Sequence, residues 1–274
     1  MAYRLVFDID GIMCDVWTPV ENLLKVSVPV EENAPVYPKI GDYVVNNGSL
    51  TDFKRNFNFL GYVDDFPLSN LGAKERKIVM EALGDPSIYA HPMPMFNSTN
   101  NARKKALWEA ADIAPNRVGS SLERTSFMEW AIWLNDLTES FEVILHTHVY
   151  NEACAEARRA WFADQIAPIA PEVTLKIDVG ASKTQLSGTI VFEDNLENCL
   201  KSNAIIKVLM NTFHNSPKSY RNRELFKQNK VTDMVCVSNF KELKEVVPAW
   251  EDYLTSRRKG DKVQFIDILE RRLE

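Results

Sequence analysis

Six short apolar stretches punctuate the chain, at 3–7, 141–147, 173–179, 189–192, 205–210 and 233–237. Most run as continuous apolar blocks instead of alternating with polar residues. That pattern suits strands covered on both faces of a parallel sheet. Between them lie stretches with helical spacing. In 151–166, Ala153, Ala157, Ala160, Trp161 and Ile166 recur at helix-like intervals. In 121–137, Leu122, Met128, Ala131, Leu134 and Leu137 form one stripe. The alternation from about residue 121 onward predicts an α/β fold with a parallel sheet assembled from βαβ units.

The stretch 16–120 breaks this rhythm. A Pro- and Val-rich region at 17–45 is followed by an aromatic run, FKRNFNFLGYVDDF. A helix is predicted over 74–83, closed by Gly84, Asp85 and Pro86, and another over 102–112. The first strand is thus parted from the second by a stretch too long for a simple crossover in a compact sheet. The expected architecture is a catalytic core formed by 1–15 and 121–250. A mainly helical cap, 16–120, is inserted after the first strand, and 251–274 forms a C-terminal helical extension. In that extension Phe265, Ile266 and Leu269 form a helical patch, which as an exposed face would support a homo-oligomer.

Composition narrows the class. The chain has 274 residues, 45% of them apolar and 26% charged, enough to bury a full core without disulfide staples. A net charge of −6 argues against a stable complex with nucleic acid. The basic stretch SPKSYRNRELFKQNK therefore reads as a solvated surface. The four cysteines form no CxxC pair. With no apolar run of membrane-spanning length and no signal-peptide pattern, a reduced, cytoplasmic setting without membrane attachment is expected.

The candidate chemistry gathers at strand ends. The first strand ends in Asp8-Ile-Asp10-Gly11. Acids two residues apart on an extended chain point the same way, and Gly11 lets the backbone turn away behind them. Converging carboxylates call for a cation, and hard oxygen donors suit Mg²⁺. The strand at 141–147 leads through His146 and Thr147 to His148, and the strand at 189–192 runs into Glu193 and Asp194. Lys183 and Thr184 lie in a loop between 179 and 189. In an open α/β sheet, ligand sites lie beyond the carboxyl ends of the strands. Acids, a hydroxyl and a lysine collected there suit phosphoryl transfer. Lys176 competes with Lys183 for the lysine role. The His146-Thr-His148 pattern also suits one face of a zinc site, although a histidine packed behind Thr147 explains His146 more simply.

The order and types of these residues resemble the haloacid dehalogenase-type (HAD) phosphatase superfamily. FDIDG is similar to its first motif, VILHT to its second, Lys183 to its third-motif lysine and VFEDN to its acidic fourth motif. Within the superfamily, the position of Asp15, Trp161 after the second motif, SKT and FEDNLEN resemble the 5′(3′)-deoxyribonucleotidase group. The resemblance implies a Rossmann-like core and Mg²⁺-dependent hydrolysis of a phosphomonoester, with a nucleoside monophosphate as substrate. A phosphatase of another small metabolite such as a sugar phosphate, or a catalytically silent phosphate-binding protein, is the alternative.

The implied roles are specific. Asp8 is the nucleophile, and Asp10 is the general acid and base. Thr147, His148 and Lys183 bind the phosphate, and Lys183 also balances the charge of Asp8. Asp8, Asp10 through its backbone carbonyl, Asp194 and Glu193 hold the metal. His148 departs from the small polar residue usual after the second-motif threonine, and the glycine-rich form of the fourth motif is absent. The resemblance does not extend to 16–120.

Overall fold

The computed structural model describes residues 3–16, 73–95, 125–180, 183–184, 187–210, 234–237 and 239–273. Six strands form one sheet: β1 (Tyr3–Asp8), β4 (Phe141–Val149), β5 (Thr174–Val179), β6 (Ile190–Glu193), β7 (Ile206–Met210) and β8 (Met234–Val237). All neighbours pair in parallel, in the order β5-β4-β1-β6-β7-β8. Two two-residue strands, β2 (Cys14–Asp15) and β3 (Met93–Pro94), pair antiparallel beside it. Counted along the sheet strands alone, the order is that of a doubly wound α/β sheet, compatible with a Rossmann-like core. The chain winds outward from β1 through β4 to β5, then returns to the other side of β1 with β6.

The helices are α1 (Ala73–Leu83), α2 (Pro86–Ala90), α3 (Phe127–Thr138), α4 (Glu152–Gln165), α5 (Leu196–Lys201), α6 (Phe240–Arg258) and α7 (Phe265–Leu273). On one face of the sheet, Leu5, Phe7, Val143, Leu145, Ile190 and Phe192 pack with Trp130 and Leu134 of α3, Phe240 and Trp250 of α6, and Phe265 of α7. Phe7 and Phe192 stack with centroids 4.1 Å apart and planes 7° from parallel, locking β1 to β6. Trp130 sits 4.4 Å from the Phe240 ring and 6.4 Å from Phe7. The opposite face buries Val6, Ile144 and Val191, and Cys199 of α5 packs on Leu209 there.

All six predicted strands form, with ends within two residues of those read from sequence. The helices differ more. The helix predicted over 121–137 begins at Phe127, because Ser126 caps it: Glu129 N–H donates to Ser126 Oγ at 3.2 Å and Ser126 N–H donates to Glu129 Oε2 at 2.8 Å. Its buried stripe is Trp130, Ala131, Leu134 and Leu137, while Met128 is 63% exposed. At about 100° per residue, Met128 stands roughly 120° around the helix from Leu134, off the core face. In α4 the buried positions are Cys154, Ala155, Arg158 and Trp161. Ala153 and Ala160, expected inside, are exposed. Alanine fits either face, so its spacing misplaced the stripe.

The expected break at 250 lies inside α6, where Trp250 is buried. Phe265 and Leu269 are buried and Ile266 packs against the same core. The patch read as a self-association face is therefore covered by this chain. Among the described residues, no helix is long and apolar enough to cross a membrane.

Within the stretch expected as an insertion, Asp85 caps α2, accepting from Ser87 N–H at 2.8 Å. Residues of α1 and α2 meet α4 and the loop before it: Asn151 Nδ2 donates to Gly84 O at 3.1 Å, and Tyr150 Oη meets Met80 Sδ at 3.0 Å. The expected irregular region 17–45, the aromatic run and the helix at 102–112 lie outside the described residues.

The aromatic cluster sets the first prediction. Trp130→Ala opens a cavity between Phe7, Trp133 and Phe240 and should lower stability by ~3–5 kcal/mol. Met128→Ala on the exposed side should change it by less than ~0.5 kcal/mol. Urea denaturation followed by circular dichroism distinguishes the two.

Candidate active site

The strand order places the end of β1 between those of β4 and β6. The sheet winds in opposite senses on the two sides of β1, so a crevice opens at its carboxyl edge. Asp8 closes β1 there and Glu193 closes β6, followed by Asp194. Their side chains are buried, at 7%, 6% and 5% exposure. One carboxylate oxygen from each lies within 4.8 Å of the others, a cluster able to hold a metal ion.

Lys183 answers part of this charge. Its Nζ is 2.8 Å from Asp8 Oδ2 and 2.7 Å from Glu193 Oε1. Burial works against its ammonium, but Asp8 and Glu193 outweigh that and raise its pKa above the usual lysine range. Burial raises Glu193 well above the usual carboxylate range, with Lys183 opposing and Asp8 reinforcing the shift. Glu193 Oε2 is buried without a hydrogen-bond partner. An orphaned carboxylate oxygen facing two further carboxylates is a hard-donor set, chemically suited to a divalent cation. Lys176, the rival lysine, turns instead to Thr184 Oγ1 at 2.5 Å.

Gly11 shapes the same corner. Its φ of +85° lies in the left-handed region. A Cβ there would fall 1.8 Å from Asp194 Oδ2, so only glycine lets Asp194 come this close. The turn continues with Cys14 N–H donating to Ile9 O at 2.9 Å and Gly11 N–H to Cys14 O at 2.8 Å. Asp8 Oδ1 accepts from Ile9 N–H at 2.7 Å.

A second charged cluster surrounds Asp10. Thr147 Oγ1 donates to Asp10 Oδ2 at 2.7 Å, and Arg158 Nη2 donates to Asp10 Oδ1. Arg158 is fully buried and also donates to Cys14 Sγ at 3.3 Å. Its guanidinium carbon lies 5.2 Å from the Tyr89 ring centroid and 5.0 Å from that of Trp161. Burial raises the Asp10 pKa; Arg158 opposes that and the Asp8 charge reinforces it, leaving the carboxyl above its ordinary value. Burial likewise pushes the Cys14 thiol up to about 12.

His146 and His148 point to β5. His146 Nε2 is 2.7 Å from Asp178 Oδ2, and His148 Nε2 is 2.6 Å from Gly180 O. Burial foremost, then Lys183, lowers the His146 pKa to about 4. His146 is thus hydrogen-bonded within the sheet edge, and each imidazole already uses one nitrogen there. Asp8, Lys183, Glu193 and Asp194 are brought together; Asp10 and Thr147 adjoin them with Arg158; His148 is half-buried beside Gly180. Asp15, expected from the resemblance to follow the Asp8–Gly11 stretch, is buried in β2.

Sequence reasoning missed Arg158 and Asp178. Arg158 lies four residues after Cys154 and three before Trp161, on the buried stripe of α4. A basic residue on an apolar stripe was the available signal. For Asp178 it was an acid one residue from the end of a strand whose edge carries the site.

No family model and no curated protein matches this chain.

Two predictions follow from these clusters. Removing one partner of a buried ion pair leaves a charge without compensation. Arg158→Met should therefore cost ~3–5 kcal/mol in urea unfolding, and adding Asp10→Asn should recover part of it. His146 is neutral when folded but titrates near ~6.5 when unfolded. Its contribution to stability is present above that pH and is lost as pH falls toward its folded value of about 4. His146→Gln should flatten the stability profile across that window, by at most about 1.4 kcal/mol per pH unit.

Proposed function

We propose that this chain is a HAD-type phosphatase, a Mg²⁺-dependent phosphomonoester hydrolase that works through an aspartyl-phosphate on Asp8. The observation that carries the reading is the convergence of Asp8, Lys183, Glu193 and Asp194 at the winding reversal of the sheet. The motif resemblance supports the same roles, in the same strand order. It also supports a nucleoside monophosphate as the substrate class, with 16–120 as a cap above the site. Pairing of Cys14–Asp15 with Met93–Pro94, just beyond Asp10, is compatible with an insertion rooted at this edge. Four free thiols fit a reducing, cytoplasmic setting.

In the first step, an Asp8 carboxylate oxygen attacks phosphorus. The bond from phosphorus to the ester oxygen breaks, and the proton of Asp10 passes to that oxygen. In the second step, Asp10 takes a proton from water. The water oxygen attacks phosphorus, the bond to Asp8 breaks and inorganic phosphate leaves. The raised pKa of Asp10 favours the protonated form that the first step requires. With Asp10 protonated, its carboxyl can donate to Thr147 Oγ1 and free the Thr147 hydroxyl proton for a phosphate oxygen. His148, whose Nε2–H is given to Gly180 O, narrows the rim of the phosphate pocket. Lys183 neutralises the phosphoryl oxygens from the side of Asp8 and Glu193. Asp8, Asp194, Glu193 and the Asp10 carbonyl would hold a magnesium ion, which would supply further positive charge beside the phosphoryl group. Unit charges ~4 Å apart interact by ~4 kcal/mol at an effective dielectric of 20, so three acids would otherwise repel a phosphate dianion.

A panel of ribo- and deoxyribonucleotides, sugar phosphates and para-nitrophenyl phosphate, assayed for inorganic phosphate with Mg²⁺, tests this. The wild type should release phosphate and Asp8→Asn should abolish release. Asp10→Asn should slow nucleotide hydrolysis by ~10²–10⁴-fold. With para-nitrophenyl phosphate, whose leaving group needs no proton, the first-turnover release of para-nitrophenol should be far less slowed, while release of inorganic phosphate, which needs Asp10 as base, stays slow. Turnover that survives Asp8→Asn would sink the nucleophile. A strong preference for sugar phosphates would replace the nucleotide assignment. A wild type that binds phosphate without turnover would make it a silent binding protein.

A further inference from the structure

We propose that Asp178 and Thr184 form a clasp that seats Lys183 against Asp8 and Glu193, making Asp178 a positioning residue of the site. The inference rests on the phosphatase reading for its catalytic consequence, but not for its geometry.

Lys183 lies between β5 and β6 in neither strand nor helix. No regular backbone ladder fixes it, yet its ammonium bridges two buried acids. The anchor lies one residue on. Asp178 Oδ2 accepts from Thr184 N–H at 2.5 Å and from Thr184 Oγ1 at 2.7 Å. The same oxygen meets His146 Nε2 at 2.7 Å. Lys176 Nζ donates to Thr184 Oγ1 at 2.5 Å, so that hydroxyl both donates and accepts. Burial opposes the ionised form of Asp178, but the Thr184 N–H, the Thr184 hydroxyl and His146 outweigh it and hold its pKa at about 2. A carboxylate accepting this many hydrogen bonds is strongly oriented.

The register explains the reach. His146 pairs with Asp8 across β1 and β4, and His148 pairs with Asp178 across β4 and β5. His146 thus spans diagonally from beside the nucleophile to the acid that holds the loop. The clasp contributes little to the core, because no residue of β5 is fully buried and Thr184 is exposed. Its loss should therefore move Lys183 without unfolding the protein.

The test uses the full chain with Thr184→Val, Thr184→Ser and Asp178→Asn. Acylation of Lys183 by an amine-reactive ester is read by peptide mass spectrometry, with exposed Lys262 as the internal reference. Thr184→Val and Asp178→Asn should raise Lys183 labelling several-fold, and Thr184→Ser should stay near wild type. Hydrolysis of para-nitrophenyl phosphate should fall about tenfold in kcat/KM for Thr184→Val, with KM raised, the size expected for one charge-assisted hydrogen bond. Thr184→Ser should restore it. Unchanged Lys183 labelling in both Thr184→Val and Asp178→Asn overturns the clasp, even if activity falls, because activity lost at constant KM reports fewer folded molecules. An inactive wild type would remove the phosphatase reading, and the labelling alone would then decide the clasp.

Discussion

Three buried carboxylates gathered together, two of them bridged by one ammonium, are the constraint on which the remaining structure depends. Asp8, Glu193 and Asp194 come from two strands that neighbour each other only because the sheet reverses its winding at β1. Separately, each acid would sit in water and cost nothing. Together they need compensation, and Lys183 supplies a single positive charge between two of them. Among the described residues, Glu193 Oε2 has no hydrogen-bond partner, so one oxygen of the cluster is left without compensation there. Hydrophobic packing sustains this arrangement from below. The Phe7–Phe192 stack and the tryptophans of α3 hold β1 and β6 in register, one residue before Asp8 and Glu193.

The charges fall into two clusters. Asp8, the last residue of β1, pairs with Lys183 beside Glu193, whereas Asp10, past the strand end, pairs with Thr147 and Arg158. The two acids thus do not share partners as an extended spacing predicted. Strand alternation turns His146 toward β5 and Asp178, and Thr147 toward Asp10 and α4. One cluster is built on lysine and the other on arginine, and the difference is physical. Lys183 is a compact charge that fits between two carboxylates. The flat guanidinium of Arg158 reaches Asp10 and Cys14 with its edge while meeting Tyr89 and Trp161. Through Tyr89, Arg158 also joins the acid of the first motif to α2.

The strands were legible because each is a block of β-branched and aromatic residues, and blocks survive uncertainty about register. Asp8, Glu193, Asp194 and Lys183 were legible because strand ends in a parallel sheet converge. Helix faces were less so. In α4 five alanines signal neither inside nor outside, so the stripe was read one position away and Arg158 was passed over. Met128 was misplaced because its apolar chemistry says nothing about its angle on α3. The C-terminal patch was taken for an open face because Trp250 and Tyr253, which cover Phe265, are distant from it in the chain. The clasp at Asp178 could not be read at all, since it depends on diagonal pairing between strands.

The central place of β1 has a consequence for how the molecule is made. This strand is made before every strand it pairs with: Arg4 meets Glu142 at a separation of 138 residues and Thr189 at 185. Such distant pairing is a high-contact-order topology, which folds slowly and leaves an apolar segment without partners in the meantime. The nascent strand must wait until β4, which begins at Phe141, has been translated. During that interval it is a natural target for holdase chaperones, and only the arrival of β6 ends its exposure.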